Sequence, residues 1–245
     1  MSIILNKEEL ATNSLRKDAL EILEVGLEAI DTEKILRKKI SIENDNLIVQ
    51  DGIGTESTVI PLPLTRGGVR GEVFFVGIGK CALDGAKVIE DILGNYLTDG
   101  IALDVKEGKL NKIKSLIGTH PYPSEQNIEA TKQILKMVEN LTEKDLVICL
   151  ISGGGSSLFE LPTIPLEELI QKTKELTARG ADIYELNEFR KSVSQVKSGK
   201  FAKLCQPAQV VSLIFSDVLG NDISMVASGP TFFPSPSQGE GQFAE

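Results

Sequence analysis

The sequence predicts an α/β fold with three layers, in which helices cover both faces of a mainly parallel sheet. From residue 72 to residue 215, short, continuously apolar segments alternate with segments of helical periodicity. Strands that are apolar throughout are typical of parallel sheets, because helices bury both of their faces. Glycine-rich segments directly follow two of these apolar runs, and open α/β sheets bind ligands at that edge.

A helical segment and a small hairpin are expected ahead of this domain. Apolar residues recur at roughly helical spacing over residues 7–38, which predicts one long amphipathic helix or two shorter ones. Short β-like runs at 47–49 and 58–60 are flanked by Asn, Asp and Gly, so residues 45–64 predict a hairpin.

The alternating region predicts five strands separated by helices. Strands are expected at 73–76, 101–103, 113–117, 146–151 and 210–215. Helices are expected at about 81–94, 125–140, 166–179 and 182–204. Residues 232–245 lack periodicity and are rich in Pro, Ser and Gly, so we expect them to form a disordered tail.

Composition narrows the class of protein. The 245 residues suffice for one large α/β domain or two small ones, and 41% of them are hydrophobic, as in ordinary globular proteins. The formal net charge of −9 disfavours nucleic-acid binding, because phosphate backbones would be repelled. The three cysteines fit neither a zinc motif nor a disulfide framework. With no recognisable signal peptide and no apolar run of membrane-spanning length, a cytoplasmic protein with no membrane contact is expected.

A first candidate anion site is the G-x-G-K segment at 77–80, where a strand turns into a helix. Glycines let a ligand approach the backbone closely, and a helix N-terminus offers free N–H groups to an anion. Lys80 would add a positive charge. The segment also fits a loose dinucleotide fingerprint in which Asp104 would bind a ribose. A tight turn beside a solvated lysine is the alternative.

A second candidate anion site follows the strand at 146–151. It consists of Ser152, Gly153, Gly154, Gly155 and Ser156. Successive N–H groups flanked by hydroxyls form a concave site suited to phosphate or carboxylate. A flexible turn is the alternative, but the position at the carboxyl edge of the sheet favours the anion site.

Two titratable candidates follow other strands. His120 lies in an H-P-Y-P segment whose prolines stiffen the loop, and it could polarise a substrate oxygen or transfer a proton. A histidine bonded to the backbone is the alternative. Asp217 could hold Mg²⁺ or accept a hydroxyl proton, and a helix-capping aspartate is its alternative.

A polar helix face is expected in the segment 187–200. Asn187, Arg190, Ser194 and Lys197 are three or four residues apart, so a continuous helix would place them on one face. Such a face suits an anionic ligand, which Arg190 would bind with its planar fork and Lys197 as a point charge. An ordinary solvated face is the alternative.

These segments occur together, in this order, in one known family. The patterns are G-x-G-K, H-P-x-P, S-G-G-G-S, N-x-x-R-x-x-x-S-x-x-K-x-G, S-D-V-x-G and A-S-G-P-T, and they span nearly the whole chain. Together they resemble the glycerate 2-kinases of the MOFRL-associated type. Three positions depart from the family pattern: Cys81 replaces an alanine, Ser198 a glycine and Asn221 an aspartate.

The resemblance implies ATP-dependent phosphorylation of D-glycerate at its 2-hydroxyl, giving 2-phosphoglycerate, with Mg²⁺. It implies that residues 1–231 form a Rossmann-like N-terminal lobe and that the site lies between this lobe and a second one. The catalytic lysine would be Lys80, the acidic turn would be Asp217, and the 152–156 loop and the polar face would bind substrate or phosphate.

The family continues after Pro230-Thr231 into a second (MOFRL) lobe that supplies another catalytic arginine. We expect this lobe to be absent from the chain, which predicts low or no activity from the chain alone and makes a separate second lobe a candidate partner. The alternatives are a dinucleotide- or sugar-phosphate-binding domain and a non-catalytic remnant.

Overall fold

The computed structural model describes residues 4–51, 54–63, 71–218 and 220–233. The chain divides into two compact units, Met1–Pro61 and Leu62–Glu245. The expected disordered tail lies outside the described residues, except for Phe232 and Phe233. The N–H of Phe232 donates to the Gly229 carbonyl at 3.2 Å.

The first unit combines short helices with a small antiparallel sheet. Its helices are α1 (Lys7–Leu10), α2 (Ser14–Ala29) and α3 (Thr32–Lys39). Its strands are β1 (Ile40–Glu43), β2 (Asn46–Gln50) and β3 (Ser57–Pro61), in the order β1-β2-β3. The side chains of Asn13 and Asp31 cap the N-termini of α2 and α3. The helical segment expected over 7–38 therefore consists of separate helices. The predicted hairpin is confirmed as β2 and β3, and β1 adds a strand that the sequence did not indicate.

The second unit alternates strands and helices, as predicted. Its strands are β4 (Val73–Ile78), β5 (Asp99–Asp104), β6 (Ile113–Ile117), β7 (Leu146–Ile151) and β8 (Gln209–Ile214). Its helices are α4 (Ala82–Leu93), α5 (Glu125–Met137), α6 (Gly155–Leu158), α7 (Leu166–Ala178), α8 (Ile183–Ser192) and α9 (Lys200–Leu204). Short 3₁₀ turns lie at Gly94–Tyr96 and Val226–Ser228.

The five strands form a parallel sheet in the order β6-β5-β4-β7-β8. Every residue of the central strands β4 and β7 is buried, as their continuous apolar sequence requires. One face of the sheet packs against apolar residues of α5 and α9, and α4 packs on the other face, where Gly85 lies against Leu150. The three-layer α/β fold is therefore confirmed.

The strand order reverses between β4 and β7. From β4 the chain proceeds to β5 and β6 on one side, and then crosses to β7 and β8 on the other. Ligand crevices in open α/β sheets form outside the carboxyl ends of the strands at such a point. Both predicted glycine-rich segments lie here, because one follows β4 and the other follows β7.

The helix expected over 182–204 is wrong in its length. Helix α8 ends at Ser192, and residues 193–199 are irregular until α9 begins. The Val193 carbonyl accepts from the Thr163 N–H at 2.7 Å, and the Gln195 N–H donates to the Leu161 carbonyl at 2.9 Å. These long-range backbone bonds replace the helical bonds that would have continued α8.

Within the described ranges, no helix is both long enough and apolar enough to cross a membrane.

Candidate functional site

A cleft of about 600 Å³ opens at the carboxyl edge of the parallel sheet. Loops that follow three strands line it, together with α8 and the turn near Val226. Seven of the predicted site residues contribute to its lining: His120, Gly153, Gly154, Ser156, Asn187, Arg190 and Asp217. The structure thus brings together residues that are up to about a hundred positions apart in sequence.

The glycine-rich loop after β7 lets side chains approach its backbone. Gly154 is left-handed, with φ of 87°, and begins the short helix α6. A Cβ on Gly154 would lie 3.1 Å from the Lys80 side chain and 3.3 Å from the His120 ring. A Cβ on Gly153 would overlap the Asp217 carboxylate. The glycines therefore allow Lys80, His120 and Asp217 to gather around one loop.

Lys80 stands beside the cleft at the start of α4. Its N–H donates to the Gly153 carbonyl at 3.0 Å, which joins the β4–α4 turn to the glycine-rich loop. Gly79 makes this turn possible, because its φ of 112° suits glycine and a Cβ would overlap Ser152. The Lys80 side chain is exposed, and its ammonium makes no ion pair with any residue that the structure describes. It is therefore available to an anionic ligand.

The loop that carries His120 is fixed by a buried amide, Asn127. The Asn127 side chain accepts from the Thr119 N–H at 2.9 Å and donates to the Thr119 carbonyl at 2.9 Å. It also donates to the Ser157 carbonyl at 2.8 Å, so it joins the histidine loop to the loop after β7.

The pKa of His120 lies below its ordinary value. Partial burial is the largest cause, and the positive charges of Lys80 and Arg190 lower the pKa further. The imidazole is therefore neutral near pH 7 and can accept a hydrogen bond or a proton.

Arg190 on α8 is half-buried in the wall of the cleft. Burial lowers the pKa of its guanidinium, and the negative charge of Glu160 opposes that effect. A guanidinium stays protonated under any physiological condition. Its donors make no hydrogen bond or ion pair with the described residues, and unpaired donors in a concave wall suit a carboxylate or phosphate.

A hydroxyl and amide network crosses the floor of the cleft. The Ser156 and Ser228 hydroxyls are 2.9 Å apart, and the Ser228 hydroxyl donates to the side-chain oxygen Oδ1 of Asn187 at 2.9 Å. The Asn187 amide in turn donates to the Met225 sulfur at 3.6 Å. Ser156 and Asn187 thus meet in the cleft as the sequence suggested, with Ser228 between them.

Two residues of the predicted glycine-rich site serve the framework instead. The Ser152 hydroxyl is buried, accepts from the Cys81 N–H at 3.1 Å and donates to the Ile78 carbonyl at 3.3 Å. Gly155 is also buried and packs against Ala227. Neither lines the cleft, so the expectation that all five loop residues contact a ligand directly is wrong for these two, and Gly153, Gly154 and Ser156 stay candidates.

Ser194 and Lys197 do not share the face of Asn187 and Arg190, because α8 ends before them. Both are fully buried. Lys197 Nζ donates to Glu160 Oε2 at 2.7 Å and to the Phe159 carbonyl at 2.9 Å, and burial lowers its pKa although Glu160 opposes the shift. The expectation that Lys197 offers a free charge to a ligand is therefore wrong.

Asp104 is not available to a ribose. It is fully buried, and its two oxygens accept from the N–H groups of Leu83 at 3.0 Å and Val105 at 2.6 Å. It caps α4 from the neighbouring strand. The dinucleotide alternative thereby loses its ribose ligand.

Comparison with known proteins gives the family. Residues 18–242 match the family described as a domain of unknown function, DUF4147. The chain belongs to the DUF4147 family.

Characterised relatives of this DUF4147 chain are glycerate kinases. It is 36% identical to a D-glycerate 2-kinase of Thermotoga maritima, over 93% of this chain and 49% of the relative. It is 38% identical to a glycerate 2-kinase of Pyrococcus horikoshii, over 87% of this chain and 47% of the relative. A crystal structure of the Thermotoga maritima glycerate kinase superposes with a TM-score of 0.73 at 35% identity, covering 89% of this chain and 48% of that one. The chain therefore spans about half the length of these relatives.

Asp217 is the one carboxylate among the described residues that line the cleft. Asp217 follows β8 and is exposed, and no described residue bonds its carboxylate. No regular helix begins directly after it in the described part, which removes the capping alternative. The described residues form no cluster of three or more His, Cys, Asp or Glu side chains. A single carboxylate could hold a Mg²⁺ ion only together with oxygen ligands from a bound molecule or from water.

Sequence reasoning missed two residues of the DUF4147 site, Asn127 and Ser228. The signal for Asn127 was present, because Ser124 begins α5 and a polar residue three positions later indicates a capping box. Ser228 lies in the A-S-G-P-T segment and adopts a left-handed φ of 61°. Only the fold reveals that it reaches Ser156 and Asn187.

Proposed function

We propose that the chain is one lobe of an ATP-dependent glycerate 2-kinase, which transfers a phosphoryl group to the 2-hydroxyl of D-glycerate and forms 2-phosphoglycerate. The observation that carries the proposal is the convergence of Lys80, His120 and Arg190 on a glycine-rich loop at the switch point of the sheet. The identity to named glycerate 2-kinases supports this choice of reaction and substrate.

Charge stabilisation is the main task of such a site. Phosphoryl transfer depends on positioning and on neutralising charge over the phosphoryl oxygens. Lys80 provides a mobile point charge, and Arg190 provides a planar fork suited to phosphate or carboxylate. The loop at Gly153 and Gly154 allows close approach of a ligand oxygen to the backbone.

His120 and Asp217 take the remaining roles. The neutral imidazole of His120 accepts a hydrogen bond from the glycerate hydroxyl and can take its proton. Asp217 would hold Mg²⁺ together with the phosphates of ATP. When bound, that ion neutralises charge on the β- and γ-phosphates.

A second lobe completes the site in this proposal. The relatives are about twice as long as this chain, and their further half would border the cleft in this proposal. A second lobe would exclude water from the phosphates and so strengthen each charge contact. We place the reaction in the cytoplasm, in keeping with the free thiols of Cys81, Cys149 and Cys205.

The test is an assay of ADP release with D-glycerate and Mg-ATP. The chain is measured by itself and with the separately expressed C-terminal half of the Thermotoga maritima D-glycerate 2-kinase. We expect little turnover from the chain and a large gain with the added half. The proposal would be contradicted if both samples showed no turnover and no heat stabilisation by ATP or D-glycerate. Tight binding of NAD(H) without ATP binding would instead favour a dinucleotide-binding domain.

A further inference from the structure

A buried carboxylate, Glu160, lies behind the cleft. Its side chain is 1% exposed, and its Oε2 atom accepts from Lys197 Nζ at 2.7 Å. Its other oxygen, Oε1, is enclosed and has no hydrogen-bond partner among the described residues. An unpaired oxygen of a buried carboxylate is unfavourable, so its presence calls for a specific reason.

Glu160 and Arg190 line one small cavity. The cavity measures about 10 Å³, roughly the space that one water molecule needs. Ser156, Ser157 and Thr173 also line it, beside the apolar Pro121, Pro123 and Leu169, so a water molecule there has hydroxyl groups among its neighbours. Arg190 lines the substrate cleft as well, and therefore stands between the cleft and the buried carboxylate.

We propose that Glu160 is a positioning residue for Arg190. One water molecule in the small cavity accepts a hydrogen bond from the guanidinium and donates one to Glu160 Oε1. This contact holds the guanidinium in the wall of the cleft, ready for an anionic ligand. Only the identity of that ligand rests on the proposed kinase function.

The carboxylate is itself held in place from two sides. Lys197 Nζ bonds both Glu160 Oε2 and the Phe159 carbonyl, so the carboxylate cannot turn away from the cavity. The Glu160 N–H donates to the Thr131 hydroxyl at 3.1 Å, which fixes the backbone. An anchor with this little freedom can orient a flexible arginine side chain.

An indirect contact suits an anion-binding arginine better than a direct ion pair. A carboxylate in a bidentate ion pair with the guanidinium would occupy two of its donors and offset its charge. A bridging water occupies one donor and leaves the others for the ligand, at nearly the enthalpy of a direct hydrogen bond.

The test uses Glu160→Gln. The glutamine oxygen must face Lys197, which only donates, so its NH₂ group faces the cavity and cannot accept a hydrogen bond from the water. The first readout is hydrogen exchange at the Arg190 Nε–H by NMR, assigned through the loss of that signal in Arg190→Lys. We expect slow exchange in the wild-type chain and at least about tenfold faster exchange in Glu160→Gln, as for a lost hydrogen bond to a charged group.

The second readout is the dissociation constant for inorganic phosphate. We expect about tenfold weaker binding in Glu160→Gln and no further weakening when the substitution is added to Arg190→Lys. If Glu160 serves only as the counter-ion of Lys197, the variant loses stability while Arg190 exchange and phosphate affinity stay at wild-type values. That result would overturn the positioning role.

Two safeguards keep the test decisive. The double variant Glu160→Leu/Lys197→Met removes both buried charges together and leaves no acceptor at position 160, so it carries the same expectation should the single variant not fold. If neither variant folds, hydrogen exchange in the wild-type chain decides. Exchange at the Arg190 Nε–H as fast as at the Nε–H of the exposed Arg16 would exclude a positioning role for Glu160. Slow Arg190 exchange without phosphate binding would support the positioning role and count against the kinase proposal.

Discussion

Lys80 is the side chain on which the proposed chemistry depends most. It is exposed, unpaired among the described residues and set against Gly154 by the backbone bond to Gly153. Lys80→Met removes the charge and keeps the length, so we expect turnover with the second half to fall by about 10²–10³. Thermal unfolding should show an unchanged stability.

Lys87→Met is the matched control for Lys80. Lys87 is exposed on α4, the helix that follows Lys80, and is paired with Asp84 at 3.1 Å. Wild-type turnover of Lys80→Met, or an equal loss in both variants, would contradict a catalytic role for Lys80.

His120 should give the reaction its pH dependence on the acid side. The pKa of His120 lies below its ordinary 6.5, because burial and the charges of Lys80 and Arg190 disfavour the imidazolium. The neutral, active form therefore persists through pH 7 and is lost as the pH falls below the lowered pKa. We expect kcat/KM to be constant from about pH 7 upward and to fall below about pH 6.5. His120→Gln should lower kcat/KM and remove its fall at acid pH. If the fall at acid pH were unchanged in His120→Gln, it would belong to another titrating group.

At the scale of the element, the glycine-rich loop depends on close approach. A Cβ at Gly153 would overlap the Asp217 carboxylate, although the backbone of Gly153 is not left-handed. Gly153→Ala should therefore fold but displace Asp217, and we expect kcat/KM for Mg-ATP to fall by about 10²-fold. Gly26→Ala is the control, because nothing lies within 4 Å of its added Cβ. Equal kinetics in the two variants would show that the placement of Asp217 is unimportant.

The histidine loop as an element depends on Asn127. Asn127→Leu removes the partners of the Thr119 N–H and the Ser157 carbonyl in a buried site. We expect the free energy of unfolding to fall by about 1–3 kcal/mol in urea titration. Glu125→Ala, at an exposed position of the same helix, should change it far less. Nearly equal losses in the free energy of unfolding in the two variants would contradict the view that Asn127 stabilises the contact between the two loops.

Element prediction succeeded where the pattern was local. The buried strands β4 and β7 carry unbroken apolar sequence, and the hairpin carries turn residues, so both were recognisable. Helix α8 was extended too far because the spacing of Arg190, Ser194 and Lys197 suits a helix. The backbone bonds of residues 193–195 to 161–163 decided otherwise, and such long-range bonds leave no local signature.

At the scale of the whole molecule, one buried ion pair ties distant segments together. Lys197, just before α9, bonds Glu160 and the Phe159 carbonyl after α6. Lys197→Met leaves the Glu160 charge buried and uncompensated, so we expect the free energy of unfolding to fall by about 3–5 kcal/mol. Calorimetry or urea titration measures this. The control is Lys203→Met, because Lys203 is exposed on α9. If Lys197→Met lost no more free energy of unfolding than Lys203→Met, the ion pair would contribute little.

The sequence by itself determined the layered α/β class and the loops that meet at the cleft. Both follow from periodicity, from glycines and from the rule that carboxyl ends of parallel strands share an edge. Only the tertiary structure decided which polar residues line the cleft. Ser152, Asp104 and Lys197 looked like ligands but are buried and bonded to the framework, whereas Asn127 and Ser228 organise the site. The reason is physical: a polar side chain has the same chemistry in either place, and its role depends on whether the fold supplies a protein partner.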